Sequence, residues 1–188
     1  IVITNGSDDE AYSVPTGTYT LTGNTDTNNY FIYPDANQAA IDFRAALADD
    51  TQAEITLTEE VKCEGNAFDI NRDVVLNFNN QVLNAGTTAN SRNYAIEVNG
   101  KYNVNIKNAN FTRSGINADG GANVVFENGI IKQNTGRTSR YIFCAWDGST
   151  ITVKDGTFTN DRDKNTYFYA DASTIIVEGG VFNGVKSK

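Results

Sequence analysis

Val124-Val125-Phe126-Glu127-Asn128-Gly129-Ile130-Ile131 reads as two short strands joined by a bend, and four further octets repeat it. They are Leu76 to Leu83 (LNFNNQVL), Val104 to Phe111 (VNIKNANF), Ile151 to Phe158 (ITVKDGTF) and Ile175 to Phe182 (IIVEGGVF). Position one is always aliphatic. Position three reads Phe78, Ile106, Phe126, Val153, Val177, and position eight reads Leu83, Phe111, Ile131, Phe158, Phe182. Positions five and six carry Asn80-Gln81, Asn108-Ala109, Asn128-Gly129, Asp155-Gly156 and Gly179-Gly180, largely residue types that accept left-handed or sharply bent backbone. A sixth, weaker copy begins at Ile55, where Ile55-Thr56-Leu57 keeps the alternation but Glu59-Glu60 stand in the bend.

The copies start at 55, 76, 104, 124, 151 and 175, so the steps are 21, 28, 20, 27 and 24 residues. Internal repeats of this length with variable loops mark a solenoid whose strands keep register while the connections vary. Between octets lie Tyr94 to Val98, Tyr141 to Trp146 and Tyr167 to Ala170, rich in types that suit pleated strands and forming another face of the same coil. One coil cannot bury its inward side chains, but stacked coils bury each apolar column against itself. The expectation is an all-β, single-stranded parallel β-helix of about six coils over residues 51–188. An antiparallel sandwich also alternates short strands with glycine turns, but has no reason to repeat one strand-bend-strand octet.

A bare terminal coil exposes a hydrophobic cross-section and unpaired strand edges, so a cover is expected. Residues 37–50 supply it: Asn37 as N-cap, then a helix through Gln38 to Leu47 with Ile41/Ala45 and Phe43/Leu47 on its apolar side, stopped at Asp49-Asp50. Residues 1–36 read as a small β appendage or attachment segment, with strands at Ile1-Val2-Ile3, Tyr19 to Thr22 and Tyr30 to Tyr33. Gly184 to Lys188 carry no cap, so a continuing chain or a partner is expected to cover the last coil.

The stretch Phe43 to Val61 (FRAALADDTQAEITLTEEV) resembles the capping helix and first coil of pectate-lyase-like right-handed β-helix proteins. That resemblance implies the right-handed turn. In composition, rich in Asn, Thr and Gly, the chain is also similar to the β-helical fibre and spike proteins of tailed bacteriophages and to bacterial surface adhesins. This likeness implies an N-terminal attachment to other virion or cell-surface proteins through residues 1–36. It also implies lateral homotrimers and an extracellular or virion-surface location.

Lys plus Arg number 15 and Asp plus Glu 23, a formal charge of −8, which argues against nucleic acid and anionic membranes as general partners. No apolar run is long enough to span a bilayer, and the start lacks a signal-peptide layout. The start at Ile1 and the absence of Met point to a processed product or fragment. Histidine is absent, removing the commonest general base and zinc ligand, and no cofactor or metal motif stands out. Cys63 and Cys144, 81 positions apart, read as packed free thiols rather than a scaffold disulfide.

A polysaccharide lyase or hydrolase is the enzymatic alternative. It would draw on Asp147, Asp155, Asp161, Asp163, Asp171 and Glu178, with Arg113, Arg137 and Arg140 as bases or clamps. None of these lies in a recognisable motif, and the Asp161-Arg162-Asp163 loop reads as solvated surface. No catalytic residue is therefore assigned. The binding candidates are aromatic: Tyr141, Trp146, Tyr167 and Tyr169 can form a stacking platform for sugar rings, helped by Arg137 and Arg140. They can equally serve an internal stack or a subunit contact. Tyr94, Tyr141 and Tyr167 fall 18, 17 and 16 residues after their repeat starts, which predicts a stack on one flank. The reading at this level is a non-enzymatic surface module, a phage fibre or decoration protein with possible glycan contact, or an adhesin.

Overall fold

The computed structural model describes residues 22–24, 29–31, 36–64, 67–86, 94–133, 141–160 and 167–184. The chain divides into two units, Ile1–Pro34 and Asp35–Lys188. In the first, β1 (Thr22–Asn24) and β2 (Asn29–Phe31) pair antiparallel. The expected strand at Ile1-Val2-Ile3 lies outside the described residues, as does all but Thr22 of the one at Tyr19.

The second unit begins with helix α1 (Gln38–Ala48) and then winds as a solenoid. Its first coil is β3 (Glu54–Thr56), β4 (Val61–Glu64) and β5 (Phe68–Ile70). The next is β6 (Val74–Asn77), β7 (Leu83–Gly86) and β8 (Ile96–Asn99), followed by β9 (Asn103–Lys107), β10 (Ala109–Phe111) and β11 (Ile116–Asp119). Then come β12 (Asn123–Phe126), β13 (Gly129–Gln133) and β14 (Phe143–Trp146), and β15 (Thr150–Val153), β16 (Thr157–Asn160) and β17 (Phe168–Asp171). Two strands, β18 (Thr174–Val177) and β19 (Val181–Gly184), open a sixth coil. Equivalent strands stack in parallel into three sheets: a first and a second of six strands, starting at β3 and β4, and a third of five, starting at β5. This is an all-β parallel β-helix with five complete three-stranded coils and part of a sixth. Each octet supplies a strand to the first and second sheets, and the segments between octets supply the third, with β8, β14 and β17 drawn from the aromatic stretches.

Four octets pair as aligned: Val104, Val124, Ile151 and Ile175 lie side by side, as do Phe111, Ile131, Phe158 and Phe182. The Leu76 octet does not. Val74, not Leu76, pairs with Val104, and Leu76 pairs with Ile106, while Leu83 still meets Phe111. Two extra residues are therefore looped out in its bend, where Asn79 (φ 49°) and Asn80 (φ 61°) are left-handed. The gapless alignment survives because an even insertion leaves every side chain on its original face. Phe78, which falls outside the strand, stays fully buried and packs against Phe111 at 4.9 Å and Phe43 at 6.1 Å.

Helix α1 closes the N-terminal end. The Asn37 carboxamide oxygen accepts from the Ala40 N–H at 3.0 Å and the Lys62 N–H at 3.0 Å, so one side chain caps the helix and ties it to β4. At the other end the Arg72 guanidinium donates to the carbonyls of Leu47 (3.0 Å), Ala46 (3.1 Å) and Gln52 (2.6 Å). Ala46 and Leu47 belong to the last turn of α1 and Gln52 to the chain just beyond it, and a cation there also suits the helix dipole. The buried face is Ala39, Ala40 and Phe43, not the expected Ile41/Ala45 side; Ala45 is exposed. Two alanines let the helix approach closely enough for Phe43 to plug the first coil against Phe68, ring centroids 4.8 Å apart. At the far end Phe168, Ile175 and Phe182 are only partly covered and Val177 is exposed, although they occupy inward columns.

Both cysteines are buried and stand outside any disulfide. Cys63 lies on the first coil and Cys144 on the fourth, about 14 Å apart along the axis at ~4.8 Å per strand, beyond the reach of a disulfide.

Candidate functional site

Alternation along the third sheet points Phe68, Ile96, Ile116, Phe143 and Phe168 inward, and sends the residues between them to the outer face. Parallel register makes two columns there. One runs Asp69, Glu97, Asn117, Cys144, Tyr169, each directly beside the next. The other runs Asn99, Asp119, Trp146, Asp171: Asn99 pairs with Asp119 and Trp146 with Asp171, and the register of β11 and β14 carries Asp119 alongside Trp146.

Three of the four aromatic candidates meet on this face. Tyr141 and Tyr169 stack at 4.8 Å with 35° between planes, and Trp146 lies 4.7 Å from Tyr169 at 44°. All three are half-buried. Tyr167 goes elsewhere, packing against Phe182 (5.3 Å, edge-on) and Phe168 (6.2 Å). The expected stack of Tyr94, Tyr141 and Tyr167 fails for the same reason. The Tyr167 carbonyl accepts from both Ile142 and Phe143, so Tyr167 is level with Ile142, one residue out of step with Tyr141. Arg137 and Arg140 lie outside the described residues.

Behind the cluster, Tyr94 is buried and its phenol hydrogen-bonds Cys144. Burial first, and that bond second, push its pKa well above the ordinary tyrosine range. Glu97 is held above the usual carboxylate range, chiefly by burial and then by the neighbouring Asp69 carboxylate, with Asp119 adding to it. A hydrogen bond from the Tyr94 backbone opposes the shift. Sequence reading did not single out Asp69, Glu97 or Asp119. The signal was available in the alternation of Phe68-Asp69-Ile70 and Ile116-Asn117-Ala118-Asp119, which marks two further strands of the third sheet.

Among the described residues, the acids considered for catalysis stand on separate elements. Asp155 sits in an exposed bend, accepting from the Gly156 N–H at 2.7 Å, and Glu178 is exposed on the last coil. Asp147 occupies a left-handed turn after Trp146 (φ 49°), and Arg113 is half-buried before β11. Asp171 alone joins the aromatic face within a strand. Asp161, Arg162 and Asp163 lie outside the described residues. Among the described residues no three His, Cys, Asp or Glu side chains are placed to hold a metal ion, and no helix is long and apolar enough to cross a membrane.

A shallow cleft of about 320 Å³ lies on the first sheet between Asp73, Val75, Asn103, Asn105 and Val125. Much of its polar rim is self-engaged: Asp73 accepts from the Asn103 N–H at 2.7 Å, and Asn105 donates to Glu127 at 3.0 Å. Lys154, 3.0 Å from Glu127, holds that carboxyl below its usual range, with Asn105 and Lys107 assisting. The third-sheet face thus brings half-buried aromatic rings and the carboxylates of Asp69, Glu97, Asp119 and Asp171 onto one surface.

No protein-family model, curated protein or solved structure matches this chain.

Proposed function

We propose that this chain is a non-enzymatic structural and binding module displayed on a surface, and that it contacts glycans through Tyr141, Trp146 and Tyr169. The carrying observation is the contiguous, half-buried ring cluster on the outer face of the third sheet. Sugar rings bind by laying their apolar C–H faces on aromatic planes, and strands hold such planes with little conformational freedom to lose. The pectate-lyase-like likeness of residues 43–61 supports a right-handed coil of the kind used in phage fibres, spikes and bacterial adhesins. In that setting residues 1–36 attach to a virion or cell-surface protein, and three chains associate side by side outside the cell. The platform would then act on surface polysaccharide as a recognition element.

The test is a glycan array with light scattering on the same sample. Retained glycans, lost on Trp146→Ala with an unchanged melting curve, support the reading, and a solution mass of three chains supports the fibre assembly. Binding that survives Trp146→Ala together with Tyr169→Ala removes the platform from consideration.

A polysaccharide hydrolase or lyase is the second reading. It is favoured by one feature, the raised pKa of Glu97 beside Asp69 and Asp119, which is how a general acid is prepared. Release of new reducing ends or unsaturated products from a polysaccharide, lost on Glu97→Gln, would establish it in place of the binding role.

A further inference from the structure

We infer that the C-terminal end of the solenoid is a docking surface for a strand-bend-strand segment of another protein, selected by a lysine or arginine that lands beside Glu178. Among the described strands, β17, β18 and β19 each stand last in their sheet. Val177 belongs to an inward column that is buried at Ile106, Phe126 and Val153, yet it is 44% exposed, and Ile175 and Phe182 are only partly covered. A free strand edge flanked by exposed apolar columns is the kind of surface on which a protein adds a strand from a partner.

What the partner must carry follows from one column on the outer face of the first sheet. Position four of the last four octets reads Lys107, Glu127, Lys154, Glu178. Backbone hydrogen bonds from Glu127 to Ile106, Lys154 to Phe126 and Glu178 to Val153 set these residues side by side, so opposite charges alternate coil by coil. Each lysine reaches toward the N-terminal end: Lys154 to Glu127 at 3.0 Å, and Lys107, across the intervening coil, to Glu54 at 2.9 Å. Glu178 ends the column and, among the described residues, has no ion-pair partner. A cation one strand further on, about 4.8 Å away, would reach back to Glu178 as Lys154 reaches back to Glu127. The neighbouring columns set the rest of the pattern: aliphatic residues one and three places before the cation, and a large apolar residue four places after it. In a second copy of this chain the two octets that fit, starting at Val104 and Ile151, already lie between other coils, so the occupant is a different protein.

The experiment adds two labelled synthetic peptides to the full chain: TITVKDGTF, the sequence of residues 150–158, and TITVEDGTF, which differs only in replacing the lysine. Within the solenoid the first sequence already stacks on a coil that presents Glu127, as it would on Glu178. Fluorescence anisotropy ranks the two peptides, and hydrogen exchange locates them. The expected result is slowed exchange in β18 and β19 with the lysine peptide, and about fivefold weaker binding of the glutamate peptide. Glu178→Lys, at an exposed position, should keep the parent melting curve and reverse that order. Equal affinity of the two peptides for the parent chain overturns the inference. So does slowed exchange confined to another part of the solenoid, or no protection by either peptide at about 1 mM.

Discussion

At the scale of single residues, what matters is how close coils come and what each carboxyl faces. A Cβ on Gly115 would lie 1.8 Å from the Ile142 carbonyl oxygen and 2.5 Å from its carbon, both backbone atoms that cannot swing aside. Gly115→Ala should therefore push β11 and β14 apart, strain the 2.8 Å hydrogen bond from Ile116 to Ile142, and cost about 3 kcal/mol in urea unfolding. The opposite case is Ala172, left-handed at φ 49° in the same corner where Gly100, Gly120 and Asp147 also adopt positive φ. Ala172→Gly removes roughly 1–2 kcal/mol of steric cost and returns part of it as unfolded-chain entropy, so a net gain of about 0.5 kcal/mol is expected. Glu97 gives a pH signature. Its folded pKa is raised above the ordinary 4.5, so between those values the folded chain holds the proton that the unfolded chain has released. Stability should fall as pH rises through that window, because burial disfavours the ionised group and Asp69 and Asp119 add like charge beside it. Glu97→Gln should match the parent at pH 4 and exceed it at pH 7.5 in urea midpoint. A less stable variant at pH 7.5 would refute this account.

At the scale of elements, the octet fixed most of the architecture because a solenoid writes the same contact many times. Position three and position eight of four copies pair as aligned, and the bend positions are left-handed at Asn80, Asn108, Gly129, Gly156 and Gly180. What could not be read was any feature decided by an odd or even offset between loops. The two-residue bulge at Asn79-Asn80 was hidden because it preserves facing. The one-residue shift of Tyr167 against Tyr141 broke the predicted flank. The helix was legible as a cap, but the anchor of its C-terminal end lies far away in sequence: Arg72, whose guanidinium reaches three carbonyls. Arg72→Lys keeps the charge and loses the fork. It should cost about 2 kcal/mol and raise amide exchange across Gln38–Ala48, with the strands from β9 onward unaffected. Equal loosening of the whole solenoid would mean that the cap and coils unfold as one.

At the scale of the whole molecule, stability in a stacked array is approximately the sum of each coil's own terms and its interfaces with neighbours, so a coil with one neighbour is held about half as well. The N-terminal coil has the helix, with Phe43 set between Phe68 and Phe78. In the described residues the last coil has a neighbour on one side only. Ile176 and Val177 are each 44% exposed and Val181 56%, on strands with none of the lysines or prolines that usually blunt a free edge. The aromatic face sits toward this end, on β14 and β17, so its rigidity depends on the weaker interface. Hydrogen exchange on the 188-residue chain should accordingly show a gradient: slowest amides in β9 to β13, where both neighbours are present, and fastest in β18 and β19. The rings of Phe158 and Phe182, stacked at 4.8 Å, and of Phe168 and Phe182, edge-on at 5.2 Å, are apolar ties across that last interface. Phe182→Ala should therefore collapse protection in β17 to β19 and weaken any ligand held by Tyr169, while leaving β3 to β10 protected. A lateral trimer would add protection along one outer face without abolishing the gradient. Uniform protection through β19 would instead require something seated on the open cross-section, and protection that rises with protein concentration would identify it as another copy of this chain.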